Sequence, residues 1–134
     1  MNEDFVTCEL AVKLNEKGFN EPCYGYYHCN GENDSFELCG NGNRDFLNSK
    51  NQYRVAAPTI PQVLKWLREE KGIHIEPTAT TTFATKNNTA YFVLIKHKIT
   101  STSMDSIDLL EKYALFNDAC IAGIEYVFDN LIYL

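Results

Sequence analysis

Apolar residues recur at helical spacing in three stretches of the chain and at strand-like spacing in two paired ones, and this pattern lays out the elements. Between Thr7 and Gly18 the apolar positions are Leu10, Ala11 and Leu14, with Thr7 placed to cap the first turn and Gly18 to end the last. This predicts a short amphipathic helix, from which Phe19 packs back. Pro22 to Cys29 is aromatic and reads as a strand, Asn30 to Asp34 as a turn, and Ser35 to Cys39 as the returning strand. Pairing Cys29 with Ser35 gives one face of Tyr24, Tyr26, Phe36 and Leu38, expected to be the core side. The other face then carries Cys23, Tyr27, Cys29, Glu37 and Cys39. The Gly- and Asn-rich stretch 40–52 follows neither period and predicts a surface loop.

The block from Ala56 to Glu76 spells out a helix with its start, its stop and the following strand. Thr59 can cap, Pro61 suits an early helical position, and Gly72 can adopt the left-handed conformation that ends a helix. Ile60, Val63, Leu64 and Leu67 form the core stripe, with Trp66 at its edge, where it covers core margin or meets a partner. Ile73–Thr85 and Thr89–Thr100 predict a second hairpin turning at Asn87-Asn88. Pairing Lys86 with Thr89 sets Phe83 opposite Phe92 and Thr81 opposite Leu94. Tyr91, Val93 and Ile95 then line the other face, so the last strand is apolar on both sides, as a central strand or one covered by a second subunit would be. Pro77 implies a bend or a sheet edge. The polar run 101–106 reads as a linker and Ile107–Tyr113 as a helical turn. Asn117–Leu131 reads as a helix with Cys120, Gly123, Ile124, Val127, Phe128 and Leu131 on a wide apolar side.

The expected fold is therefore a single α+β domain over residues 1–134, in the order α-β-β-α-β-β-α, with a largely antiparallel sheet and helices packed on one side. Composition agrees. The chain has 134 residues, with eight Phe, eight Tyr and one Trp, enough to build a core without staples. No apolar run approaches the roughly 20 residues that span a bilayer, and the acidic start Met1-Asn2-Glu3-Asp4 is unlike a secretory signal. A cytoplasmic protein without membrane contact is expected, and its five cysteines are expected to stay reduced.

The net charge of −6 is unevenly spread. Residues 1–43 hold two lysines and eight acids, residues 44–98 nine bases and four acids, and residues 99–134 one lysine and six acids. A basic middle between acidic ends is read first as segments that attract one another in the fold. Lys65, Arg68 and Lys71 beside Trp66 are read as a solvated helix face, and with a pI near 5.0 nucleic acid is not an expected partner.

Three constellations invite a chemical reading. Cys23, His28, Cys29 and Cys39 offer zinc-ligand chemistry, but five residues separate the first two cysteines and nine the next, unlike the close pairs of structural sites. In the expected register His28 also faces away from the thiols. His28, His74 and His97 sit in no catalytic signature beside a cysteine nucleophile. Gly40-Asn41-Gly42-Asn43 lacks the helix and lysine of a phosphate loop. No catalytic residue, metal or cofactor is expected.

At Ala57-Pro58-Thr59, Gln62-Val63-Leu64-Lys65-Trp66-Leu67-Arg68-Glu69 and Ile73-His74-Ile75 the chain resembles a group of small uncharacterised proteins from phages and integrated elements of Bacteroides-type gut bacteria. The likeness extends to Lys17-Gly18-Phe19-Asn20-Glu21-Pro22-Cys23 before an aromatic strand. It implies a phage or mobile-element origin and carries no activity with it. The first expectation for function is a non-enzymatic accessory or binding module. Its contact surface would comprise Trp66, Arg68, Tyr91, Val93 and Ile95, open to a protein partner or to self-association as a homodimer. The second is an acidic inhibitor or nucleic-acid mimic that occupies a basic site on a host protein, for which clustered carboxylates are the mark. The third is a thiol- or metal-dependent enzyme built on Cys23, Cys29 and Cys39.

Overall fold

In the computed structural model, which describes residues 4–29, 34–40, 42–44, 46–48, 53–81, 89–100, 103–109 and 111–131, Thr7 caps helix α1 (Cys8–Glu16). Its Oγ1 accepts a hydrogen bond from the Leu10 amide at 3.3 Å. Leu10, Ala11 and Leu14 are buried, and Gly18 turns the chain out of the helix at φ +91° so that Phe19 returns to the core. The described residues gather into two compact units, one up to Val63 and one from Leu64 onward.

In the first unit β1 (Gly25–His28), β2 (Ser35–Leu38) and β3 (Arg54–Ala57) form an antiparallel sheet in the order β2-β1-β3. The hairpin pairs His28 with Ser35 and Tyr27 with Phe36, one residue away from the expected register. A slip of one exchanges the faces. Tyr27 and Phe36 thus lie together, ring centres 5.4 Å apart, while Tyr26 turns to Glu37 and His28 on the other side. The reason is Gly25: the Phe36 ring lies over it so closely that a Cβ there would stand 2.8 Å from Phe36 Cζ. Within the expected 40–52 loop, the main chain of Phe46 pairs with that of Cys23, and Asn48 bridges two segments, its Nδ2 donating to the Phe19 carbonyl and its Oδ1 accepting from the Ala56 amide. That bridge secures β3, whose four residues carry no legible period yet bury Val55, Ala56 and Ala57.

Helix α2 (Ile60–Trp66) begins on a reciprocal cap: Thr59 Oγ1 accepts from the Gln62 amide and Gln62 Oε1 accepts from the Thr59 amide, each at 3.3 Å. The helix widens into a π-helical turn over Leu67–Lys71 and stops at Gly72, φ +66°.

In the second unit β4 (Ile73–Thr81), β5 (Thr89–Thr100) and β6 (Ser103–Asp108) form an antiparallel meander, and α3 (Phe116–Asn130) packs on β4 and β5. Ile75 lies opposite Ile95 and Thr78 opposite Phe92, five residues from the expected pairing. The observed register matches isoleucine with isoleucine on the α3 side, where the expected one would have set threonines against Val93 and Ile95. Asn87-Asn88 and Phe83 lie outside the described residues. Pro77 sits in an edge strand, as its missing donor requires. Residues 103–106 of the expected linker are instead the start of β6, and among the described residues of the expected helical turn Ile107 and Asp108 finish β6 while Tyr113 bridges to Tyr91. An exposed edge strand needs no apolar alternation, which is why its first four residues, 103–106, read as linker. The fold is thus α+β with antiparallel sheets, and its elements follow the expected order with β3 and β6 added. No helix among the described residues is long and apolar enough to cross a membrane.

Candidate functional site

The residues first expected to form a contact surface are largely interior. Trp66 is 4% exposed, with Lys71 Nζ 5.5 Å from its ring centre, and Val93 and Ile95 are fully buried in the second unit. Val93 and Ile95 lie inside because α3 covers the face of β5 that carries them. The homodimer expected through that strand loses its basis with them. Arg68 is exposed, and Lys65 reaches Glu69 at 3.9 Å across one helical turn. Tyr91 is half-buried and meets Phe116 edge to face at 5.6 Å.

Around Tyr91 the second unit presents a different surface. Leu115 is 62% and Phe116 47% exposed at the start of α3. The Tyr91 and Tyr113 main chains exchange two hydrogen bonds of 2.7 and 2.8 Å, which places Tyr113 beside this apolar pair. Tyr113 also lines an open groove of about 380 Å³ with Glu111, Glu125, Tyr126 and Asp129. Glu125 and Asp129 are one turn apart on α3, so both carboxylates look the same way. Partial burial pushes the Tyr113 hydroxyl up from its ordinary pKa, and so do its 2.9 Å hydrogen bond to Glu111 and the charges of Glu111 and Glu125. The groove is therefore a region of negative potential next to exposed apolar side chains.

Cys23, Cys29 and Cys39, the set of the third functional reading, each turn to a different partner. Cys23 and Cys39 direct their thiols to main-chain carbonyls, of Glu21 at 3.4 Å and Cys23 at 3.6 Å. His28 turns instead to Glu37, 3.3 Å away. Cys29 meets a cysteine outside that set: Cys8, the first residue of α1, with the two sulfurs 3.4 Å apart. Asp34 joins them, and the three donor atoms all lie within 4.8 Å of one another. Burial, then the hydrogen bonds and charges of Cys29 and Asp34, push the Cys8 thiol up to about 12. Burial likewise pushes Cys23 up to about 12 and Cys120 to about 11. These thiols are protonated near neutrality and poor nucleophiles.

No known protein family, curated protein or solved structure matches this chain.

The acidic groove could have been anticipated from the run of six acids against one lysine in residues 99–134. The Cys8–Cys29 pair could not, since twenty residues separate the two in sequence and no short motif joins them.

Proposed function

We propose that this chain is a non-enzymatic binding module, of the kind carried by phages and integrated elements, that docks on a basic protein surface. The supporting observation is the groove of Glu111, Glu125 and Asp129 beside the exposed Leu115 and Phe116. Exposed aromatic and aliphatic side chains supply area to bury, and flanking carboxylates choose the sign of the partner and steer its approach. Burial raises the Cys8 and Cys23 thiol pKa values, which argues against those two as nucleophiles. The same surface suits the inhibitor reading, in which the carboxylates occupy a site that normally receives an anionic ligand. Both readings share one requirement, a cationic partner.

The test is fluorescence anisotropy with a labelled peptide that alternates Lys/Arg with Leu and Phe, and an acidic peptide of the same length as control. Binding to the basic peptide alone, weakening as salt screens the charges, is expected. Replacing Glu111, Glu125 and Asp129 with their amides removes three exposed charges, each worth about 0.2–1 kcal/mol, and weakens binding roughly tenfold. Equal binding of both peptides, or no effect of the triple variant, refutes the reading.

A further inference from the structure

We infer that Cys8, Cys29 and Asp34 form a site for a thiolate-preferring divalent cation of the zinc class, clamping the start of α1 to the β1–β2 hairpin. The donor set comes first. Two cysteine sulfurs and a carboxylate lie within 4.8 Å of one another, from the first residue of α1, the residue after β1 and the residue before β2. Sulfur with oxygen suits a borderline ion such as Zn²⁺, and discriminates against the all-oxygen preference of Mg²⁺ and Ca²⁺.

Spacing comes second. Tetrahedral metal–sulfur bonds of about 2.3 Å hold ligand sulfurs about 3.7–3.8 Å apart. The observed 3.4 Å needs only a small opening to reach that value. A disulfide would require closure to about 2.0 Å, a much larger movement of the two sulfurs.

Charge and access come third. Two thiolates and a carboxylate carry three negative charges, of which the ion neutralises two, and Lys13 lines the same groove. Binding releases the two thiol protons to solvent. The groove, about 590 Å³, is also lined by Glu9 and Glu16, so water or a carboxylate can take the fourth position and the ion has a path in. With three ligands from three separate segments, the ion would hold the helix to the hairpin.

The full chain, reduced and passed over a chelating resin, is titrated with Co²⁺ and then with Zn²⁺. A thiolate-to-cobalt charge-transfer band with tetrahedral d–d bands, saturating at one ion per chain and bleached by Zn²⁺, is expected. Cys8→Ser and Cys29→Ser should each abolish the band, and Asp34→Asn should weaken Co²⁺ affinity by about tenfold or more, at least the scale of losing a group that merely supports a ligand. Cys39→Ser should leave the titration unchanged. Since Asp34 is exposed, its variant reports on the site even if a cysteine variant fails to fold. The inference is overturned if the reduced chain gives no charge-transfer band, or if the band survives in a folded Cys29→Ser chain. It is also overturned if peptide mapping finds a Cys8–Cys29 disulfide in a chain that takes up no Co²⁺ after reduction.

Discussion

Helix α3 approaches the second sheet so closely at Gly123 that one methyl group reports on the whole contact. A Cβ at this position would stand 2.7 Å from Ile75 Cγ2 and 3.0 Å from Val93 Cγ1. Ordinary carbon–carbon contact is about 3.5–4.0 Å, so Gly123→Ala forces helix and sheet apart by most of an ångström. Overpacking of this kind costs about 1–3 kcal/mol. Against it stands the helical preference of Ala over Gly, about 1 kcal/mol in the opposite direction. The net expectation is a loss of about 1 kcal/mol. Urea unfolding followed by far-ultraviolet circular dichroism should show the midpoint falling by several tenths of a molar, given a slope of about 1–3 kcal/mol/M. The sign is decisive. A variant more stable by about 1 kcal/mol would show helix propensity acting alone and would refute the close seating of α3 on Ile75. In an Ile75→Ala background the clashing methyl is gone, and the penalty of Gly123→Ala should shrink by at least about 0.5 kcal/mol.

Asn48→Ala removes the bridge between the Phe19 carbonyl and the Ala56 amide, bonds of 2.9 and 2.8 Å, and should cost about 2 kcal/mol by leaving both main-chain groups without that partner; an unchanged melting temperature would show that β3 holds without it. The buried Cys23 and Cys120 should resist iodoacetamide near pH 8 in the folded chain and label fully once unfolded, because their thiols are pushed up to about 12 and about 11. Between the ordinary cysteine value near 9 and these raised values the folded state binds more protons than the unfolded one. Stability therefore falls as pH rises through this window, and a stability profile flat from pH 9 to 11 would contradict the assignment.

What was legible in the sequence was whatever local chemistry states outright. Thr7, Thr59, Gly18 and Gly72 mark helix ends in ways that depend on a hydroxyl or a positive φ, and each does so in the structure. The stripe of Ile60, Val63 and Leu67 is buried for the same reason, while Leu64 is half-buried at its margin. Registers were less legible. The first hairpin slips by one because of a contact between Gly25 and the Phe36 ring, and the second by five because Ile75 seeks Ile95 beneath α3. Both are decided by neighbours across space. β3 and β6 escaped notice because one is too short to show a period and the other is an exposed edge. Trp66 looked like a margin residue on its own helix and is buried. Cys8 looked like the first turn of a helix and nothing more. Its pairing with Cys29 exists only once α1 and β1 are placed side by side.

The two sheets differ in how their strands are connected, and that difference has a kinetic consequence. β4, β5 and β6 are neighbours in the order in which they occur, so each pairing closes across a short stretch of chain. β1 instead holds β3 on the edge away from β2, and His28 meets Arg54 only after the whole hairpin and the segment behind it have been threaded past. Closing the longer loop costs more chain entropy before any contact repays it. The meander is thus the cheaper sheet to nucleate, while β1 must wait with an unpaired edge. Arg54, the first residue of the late strand, ends 5.5 Å from the centre of the Tyr26 ring, so β1 offers that strand an aromatic face to land on.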